Sequence, residues 1–257
     1  MRVFVGRPFQ GRRRRGPERA ALLLAIVCAT AAAHAQTPRT TAPIDLTGYW
    51  VSVVSEDWRY RMVTPTKGDY QGVPVTPDAV KIAEAWNPEA DTAAGNQCKS
   101  YGAPALMRVP GRFHFTWDDD KTLKLEADAG TQTRVFHFDK AAARGEPSWQ
   151  GDSAAEWDMQ NAGRGAAPGT PRRGSLKIVT TNLKSGYLRK NGIPYSADAK
   201  LTEYFDVIRG PNGDTLLMVT SVVDDPKYLR QPFILSTQFK KQADAKGWDP
   251  TPCSSTW

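Results

Sequence analysis

Few side chains in this 257-residue sequence suit acid–base chemistry near neutral pH. Histidine is the side chain whose ordinary pKa falls there, and beyond His34 the sequence has only His114 and His137. With Arg112, Arg134 and a carboxylate such as Glu203 they make the one constellation able to move protons, so the candidate catalytic residues are His114, His137, Arg134 and Glu203. A solvated outer face is the competing reading. Phe113, Phe115 and Trp117 alternate with Arg112, His114 and Thr116, and Phe136 and Phe138 flank His137. Period-two alternation sends the two sets to opposite faces, so the face that turns inward decides whether the histidines reach a cavity.

A second group lies in Gly186 to Ser196, where Tyr187, Arg189, Lys190, Asn191 and Tyr195 surround a turn at Asn191-Gly192 and Pro194 fixes the chain. Tyr and Arg are favoured at recognition surfaces, which makes Arg112, Tyr187, Arg189 and Tyr195 the candidate ligand-binding residues. The equal alternative has a tyrosine ring plugging a barrel end while Arg189 and Lys190 face water. Gly151-Asp152-Ser153 approaches a serine-hydrolase elbow, but that device needs a strand-to-helix turn and a histidine after the acid. Both histidines precede Ser153. Two histidines and two oxidised cysteines supply too few ligands for zinc, and Asp118-Asp119-Asp120 lacks EF-hand spacing and reads as a turn. Neither a metal nor a cofactor is expected.

The formal charge of +7 looks like a nucleic-acid signal until its location is considered. Seven arginines from Arg2 to Arg19 precede an apolar run from Ala20 to Ala33, and Ala33-His34-Ala35 supplies small residues at a cleavage site. That is the layout of a secretory signal peptide over residues 1–35, and the run is shorter than the ~18 to 20 residues a membrane span needs. The rest of the chain holds 27 basic and 26 acidic side chains. Near-neutrality excludes phosphate-backbone binding as the expected partner chemistry. A periplasmic or secreted location follows, with no membrane span after cleavage. Cys98 and Cys253 are then the remaining cysteines, and an oxidising compartment predicts their disulfide, with Cα atoms within about 7 Å.

These residues need a scaffold, and the scaffold reads as β. Residues 36–43 are a Thr/Pro-rich leader expected to be disordered, and 44–257 a single domain. Gly48-Tyr49-Trp50 opens a first strand; Trp58 to Val63 reads as a second strand or an interfacial segment. One helix is expected from Pro77 to Trp86, capped by Thr76, and loop from there to Cys98. Alternating segments follow at Arg112–Trp117, Leu123–Ala127, Gln132–Phe138, Leu176–Thr181, Leu201–Ile208, Thr215–Val223 and Phe233–Phe239, with a mobile Gly/Pro/Arg-rich loop over 161–174. Pro211-Asn212-Gly213-Asp214 joins two of them as a hairpin. Eight to ten strands and one short helix predict a mainly β fold, an antiparallel meander closing into a lipocalin-like barrel, because an open sheet of that size leaves edges to protect.

Taken in order, several segments resemble a group of uncharacterised secreted proteins of soil and environmental bacteria. The resemblance runs from about Leu46 to the C-terminus. It rests on Gly48-Tyr49-Trp50, Cys98-x-x-x-Gly102-x-Pro104, Arg134, Pro147-Ser148-Trp149-x-Gly151-Asp152-Ser153-x-x-x-Trp157, the Gly186 to Ser196 segment, Glu203-Tyr204-Phe205 and Asp225-Pro226-Lys227-Tyr228. It implies a β-rich, lipocalin-like architecture and brings no activity with it. Three functions remain open: a barrel binding a small, partly apolar molecule; a cofactor-independent isomerase, lyase or hydrolase using the His/Arg cluster; and a structural envelope protein without ligand. A filled barrel favours the third, an apolar pocket the first.

Overall fold

The computed structural model describes residues 36–139, 145–159 and 173–257, with the isolated positions Val3 and Gly6. The signal peptide expected over 1–35 and nearly all of the loop expected over 161–174 lie outside the described residues. Within them, nine strands close into a barrel. In chain order these are β1 (Gly48–Val53), β2 (Arg112–Trp117), β3 (Thr122–Ala127), β4 (Gln132–His137), β5 (Asp152–Met159), β6 (Gly174–Thr181), β9 (Lys200–Arg209), β10 (Thr215–Asp224) and β11 (Phe233–Lys241). The short strands β7 (Gly186–Tyr187) and β8 (Pro194–Tyr195) form a separate hairpin. Around the barrel the order is β1-β11-β10-β9-β6-β5-β4-β3-β2, and β1 closes the ring on β2.

The pairing is antiparallel except between β4 and β5, which run parallel over Phe136↔Ser153 and His137↔Ala154. The contact is short, with the start of β5 meeting only the end of β4. The ladder that secures β5 is its other edge, paired with β6 from Asp152↔Thr181 to Met159↔Gly174. Pro211 to Asp214 makes the expected hairpin between β9 and β10, with Gly213 at φ 85°, a left-handed value that favours glycine.

Alternation decides the core. Phe113, Phe115, Leu123, Leu125, Phe136, Ile178, Phe205, Val219 and Phe239 point inward and are buried. Phe205 packs edge-on against Phe115 at 6.1 Å between ring centroids and tilts against Phe136 at 6.0 Å. Each such side chain, fully buried, contributes about 1.5–3 kcal/mol. Trp50 is buried on β1, and its indole N–H donates to the Leu46 carbonyl at 2.7 Å. The interior of the described barrel is therefore filled by side chains.

Among the described residues four short helices stand where one was expected: α1 (Trp58–Arg61), α2 (Pro77–Glu84), α3 (Pro88–Ala93) and α4 (Ala103–Leu106), with a 3-10 turn over Gln97–Tyr101. α2 is the expected helix, with the Thr76 hydroxyl accepting from Ala79 N–H. The stretch read as loop after Asn87 folds into α3 because Asn87 caps it by accepting from Ala90 N–H and Pro88 takes the first position. Trp58 to Val63 is not a strand: its first turn is helical, and a two-residue alternation one turn long does not distinguish the two. No helix among the described residues is long and apolar enough to cross a membrane.

The β1–β2 connection (54–111), the β6–β9 connection (182–199), the β10–β11 connection (225–232) and the tail (251–257) meet at one end of the barrel. They form a cap with its own apolar core, including Val73, Ala83, Leu188, Ile193, Tyr195 and Leu229.

Candidate cationic cleft in the barrel cap

The barrel wall divides the predicted proton-transfer group. His114 faces outward, stacked on Tyr49 at 4.1 Å between centroids, with its Nδ1 3.4 Å from Glu126 Oε2. Arg112 shares that outer face, half-buried against Gly247. His137 is also outward but lies on β4, two strands from His114 on β2, with β3 between them. Arg134 has the parity of Phe136 rather than of His137, so it points inward. It meets Glu203 in a two-pronged pair, Nη2 to Oε2 at 2.6 Å and Nη1 to Oε1 at 3.1 Å, both side chains fully buried. Thr180 accepts from Arg134 at 3.2 Å and shares a 2.7 Å hydrogen bond with Ser153. Ser153 is thus part of an internal polar chain with no histidine in it. The four candidate catalytic residues do not assemble.

The Gly186–Ser196 segment is almost wholly buried in the cap. Tyr195 is fully buried, and its hydroxyl has no hydrogen-bond partner among the described residues. Its ring reaches that position because Gly102 and Gly186 lack side chains: a Cβ on either would sit 2.0 or 2.5 Å from the Tyr195 hydroxyl. Tyr187 turns away from Arg189. Its hydroxyl donates to Asp91 Oδ2 at 2.8 Å, Lys99 Nζ binds Asp91 Oδ1 at 2.7 Å, and burial with the neighbouring Asp91 raises the tyrosine pKa. Asp225 accepts from Ser196 N–H at 2.6 Å and Ser196 O–H at 2.8 Å, fixing the segment's exit.

Arg189 and Lys190 line a cleft with Arg108, Tyr60, Ser100 and Trp257. α1 begins after Asp57, at φ 48°; Arg61 is buried on its inner face, donating Nε–H to the Arg108 carbonyl at 2.9 Å and pairing with Glu56. Arg108 follows α4, with Nη1 3.0 Å from Asp57 Oδ2. Its Nη2 has no partner among the described residues. Arg189 donates Nη1–H to the Gln71 carbonyl at 2.8 Å and lies 4.0 Å above the Tyr60 ring, while its Nε is unpartnered. Lys190 Nζ donates to Tyr101 Oη at 2.7 Å and to the Ser254 carbonyl at 2.9 Å. The Trp257 ring lies 3.7 Å from the same nitrogen.

Arg108, Arg189 and Lys190 are only 7%, 4% and 3% exposed. Among the described residues neither Arg189 nor Lys190 has a carboxylate within the 4.0 Å of an ion pair. Burial, with repulsion from Arg108 behind it, lowers Arg189 to about 10. Burial alone pushes Lys190 down to about 7. Asp57 and Asp69 pull Arg189 back up without offsetting that cost, and nothing offsets it for Lys190. The cleft holds about 20 Å³, room for one water-sized body.

Cys98 and Cys253 are disulfide-linked, their Cα atoms 5.1 Å apart. The bond ties the tail to the 3-10 turn that carries Tyr101, and so places the Ser254 and Thr256 carbonyls and Trp257 over Lys190. Of the candidate ligand-binding residues, Arg189 alone lines this cleft. Arg108, Lys190 and Trp257 were not among them. A signal for Arg108 was present, since one arginine interrupts the apolar run Ala103 to Val109.

The fold and the cleft define a capped β-barrel with a buried cationic site. No protein-family model, no curated protein and no solved structure matches the chain.

Proposed function

We propose that this is an exported barrel protein that binds a small, partly apolar anion in its cap rather than in the barrel lumen. One observation carries the reading: Arg108, Arg189 and Lys190, each more than nine-tenths buried, converge on a single cleft, and two of their nitrogens have no partner among the described residues. Withdrawing a cation from water costs several kcal/mol unless a partner of opposite charge compensates it. Asp57 serves Arg108 Nη1 and Glu56 serves Arg61, and Lys190 Nζ spends its three N–H groups on Tyr101 and the Ser254 and Thr256 carbonyls, which leaves Arg108 Nη2 and Arg189 Nε for a ligand, with the Lys190 charge beside them. The packed barrel interior by itself favours a structural protein without ligand, and the binding reading rests on the cleft in the cap instead. Export is supported by the layout of residues 1–35 and by the disulfide.

The test is a thermal-shift series on the purified protein with chloride, acetate and phosphate at matched ionic strength. At least one anion should raise the melting temperature in a saturable way, because a ligand that binds only the folded state stabilises it by mass action. Arg189→Ala should weaken that anion tenfold or more. An absence of saturable stabilisation, or an Arg189→Ala protein that responds like the parent, would sink the proposal.

A further inference from the structure

We propose that the ligand of the cap cleft is a monomeric amphipathic carboxylate: its carboxylate enters at Arg108 and Arg189 beside the Lys190 charge, and its apolar tail lies over Trp257 and the exposed Met62 and Val63 that follow α1. This rests on the anion-binding reading above and names the class of anion.

Size selects the head group. A cleft of about 20 Å³ admits one water-sized body, which suits a single carboxylate oxygen at the floor with the second at the mouth. A phosphate or sulfate with one oxygen at the floor leaves three at the mouth, and so keeps more of its charge away from the buried donors than a carboxylate does. The donors present, Arg108 Nη2 and Arg189 Nε, belong to two guanidinium groups, and each can donate to an anionic oxygen.

The rim selects the body. Single exposed apolar side chains are ordinary, but a cluster beside a site is not. Trp58, Met62 and Val63 are 62%, 54% and 52% exposed, and Trp257, on the cleft wall, is 42% exposed. Trp58 on α1 and Met62 at its C-cap are four residues apart, one helical turn, and so share a side, while the neighbouring Arg61 turns into the protein. Val63 adjoins Thr64, whose hydroxyl accepts the Trp257 N–H at 2.7 Å, and this brings the apolar strip to the wall of the cleft. Charge does not compete along the strip, because Arg59 is paired with Asp69 at 2.6 Å and Tyr60 is held beneath Arg189. A cationic floor beside an apolar strip is complementary to an anion with a hydrocarbon tail.

Calorimetric titration of the purified protein with acetate, octanoate, 1-octanol and octyl phosphate tests the assignment. Each methylene fully withdrawn from water gives roughly fourfold in affinity, so octanoate should bind at least tenfold more tightly than acetate. It should also exceed octanol and octyl phosphate. The exposed double variant Met62→Ser/Val63→Ser should cut the octanoate-to-acetate affinity ratio at least fivefold. Equal affinities for acetate and octanoate, a preference for octyl phosphate, or an unchanged ratio in the double variant overturns the amphipathic-carboxylate assignment and leaves an anion site standing. Failure of both acids to bind overturns the anion reading beneath it. Cosedimentation with phosphatidylglycerol vesicles that octanoate does not displace assigns the apolar strip to a lipid surface, and that too overturns the proposal.

Discussion

Folding changes the chemistry of Lys190. Its ammonium is enclosed by Tyr101, the tail carbonyls and Trp257, with Arg108 and Arg189 lining the same cleft and no carboxylate among the described neighbours. Burial lowers it to about 7, against about 10.4 in an unfolded chain. Between those values the unfolded state holds a proton that the folded state has lost, so this residue makes stability rise with pH over that window. The penalty of burying the charge is fully present below pH 7. A Lys190→Met protein should lack this rise, which the difference between the two proteins' denaturation free energies at pH 6 and pH 9 measures. Anion affinity runs the opposite way: it should fall as pH climbs through about 7, and Lys190→Met should flatten the dependence. Inside the barrel, Arg134 and Glu203 neutralise each other out of water. Removing one partner strands the other, so Arg134→Ala or Glu203→Ala should each cost about 3–5 kcal/mol in urea unfolding, while Arg134→Met/Glu203→Leu recovers most of the loss.

At the scale of elements, the cap depends on close approaches between short segments more than on long periodic ones. The Tyr195 ring passes between Gly102, at the start of α4, and Gly186, at the start of β7. Gly102→Ala places a methyl group 2.0 Å from the Tyr195 hydroxyl, and overpacking of that kind costs about 1–3 kcal/mol. Tyr195→Phe removes the clashing oxygen, which has no partner to lose among the described residues. The single Tyr195→Phe change should be near neutral, and added to Gly102→Ala it should return part of the lost stability. A double-mutant cycle in urea reads the coupling, and strict additivity would show that the two do not meet. The α2 cap is more ordinary: Thr76→Ala removes the acceptor for Ala79 N–H and should cost about 1 kcal/mol.

For the whole molecule, the Cys98–Cys253 bond joins positions 155 residues apart. In the chain-entropy account a cross-link of that span stabilises by about 4–5 kcal/mol. It also holds the wall of the cleft that carries Trp257 and the Lys190 acceptors. Cys98→Ser/Cys253→Ser should therefore lower the melting temperature and weaken anion binding together. If stability falls while affinity holds, the tail is not part of the site.

How much of this was legible beforehand differs between barrel and cap. Alternation at Phe113/Phe115 and at Phe136 marked the strands, because a side chain's face follows from its position along an extended chain. The hairpin at Pro211–Asp214 and the Thr76 cap were readable for the same reason: each is set by residues within a few positions of one another. The cysteine pairing followed from counting. The same alternation places Arg134 with Phe136, yet only closure of the barrel sets it against Glu203 from β9, 69 residues away in sequence. The cationic cleft was hidden more deeply. Arg61, Arg108, Arg189, Lys190 and Trp257 come from α1, the end of α4, the Gly186–Ser196 segment and the tail, which share no period. A local pattern reports which way a side chain points; which distant charges it meets depends on chain folding that brings three connections and the tail to one end of a barrel, and only the tertiary structure decides that.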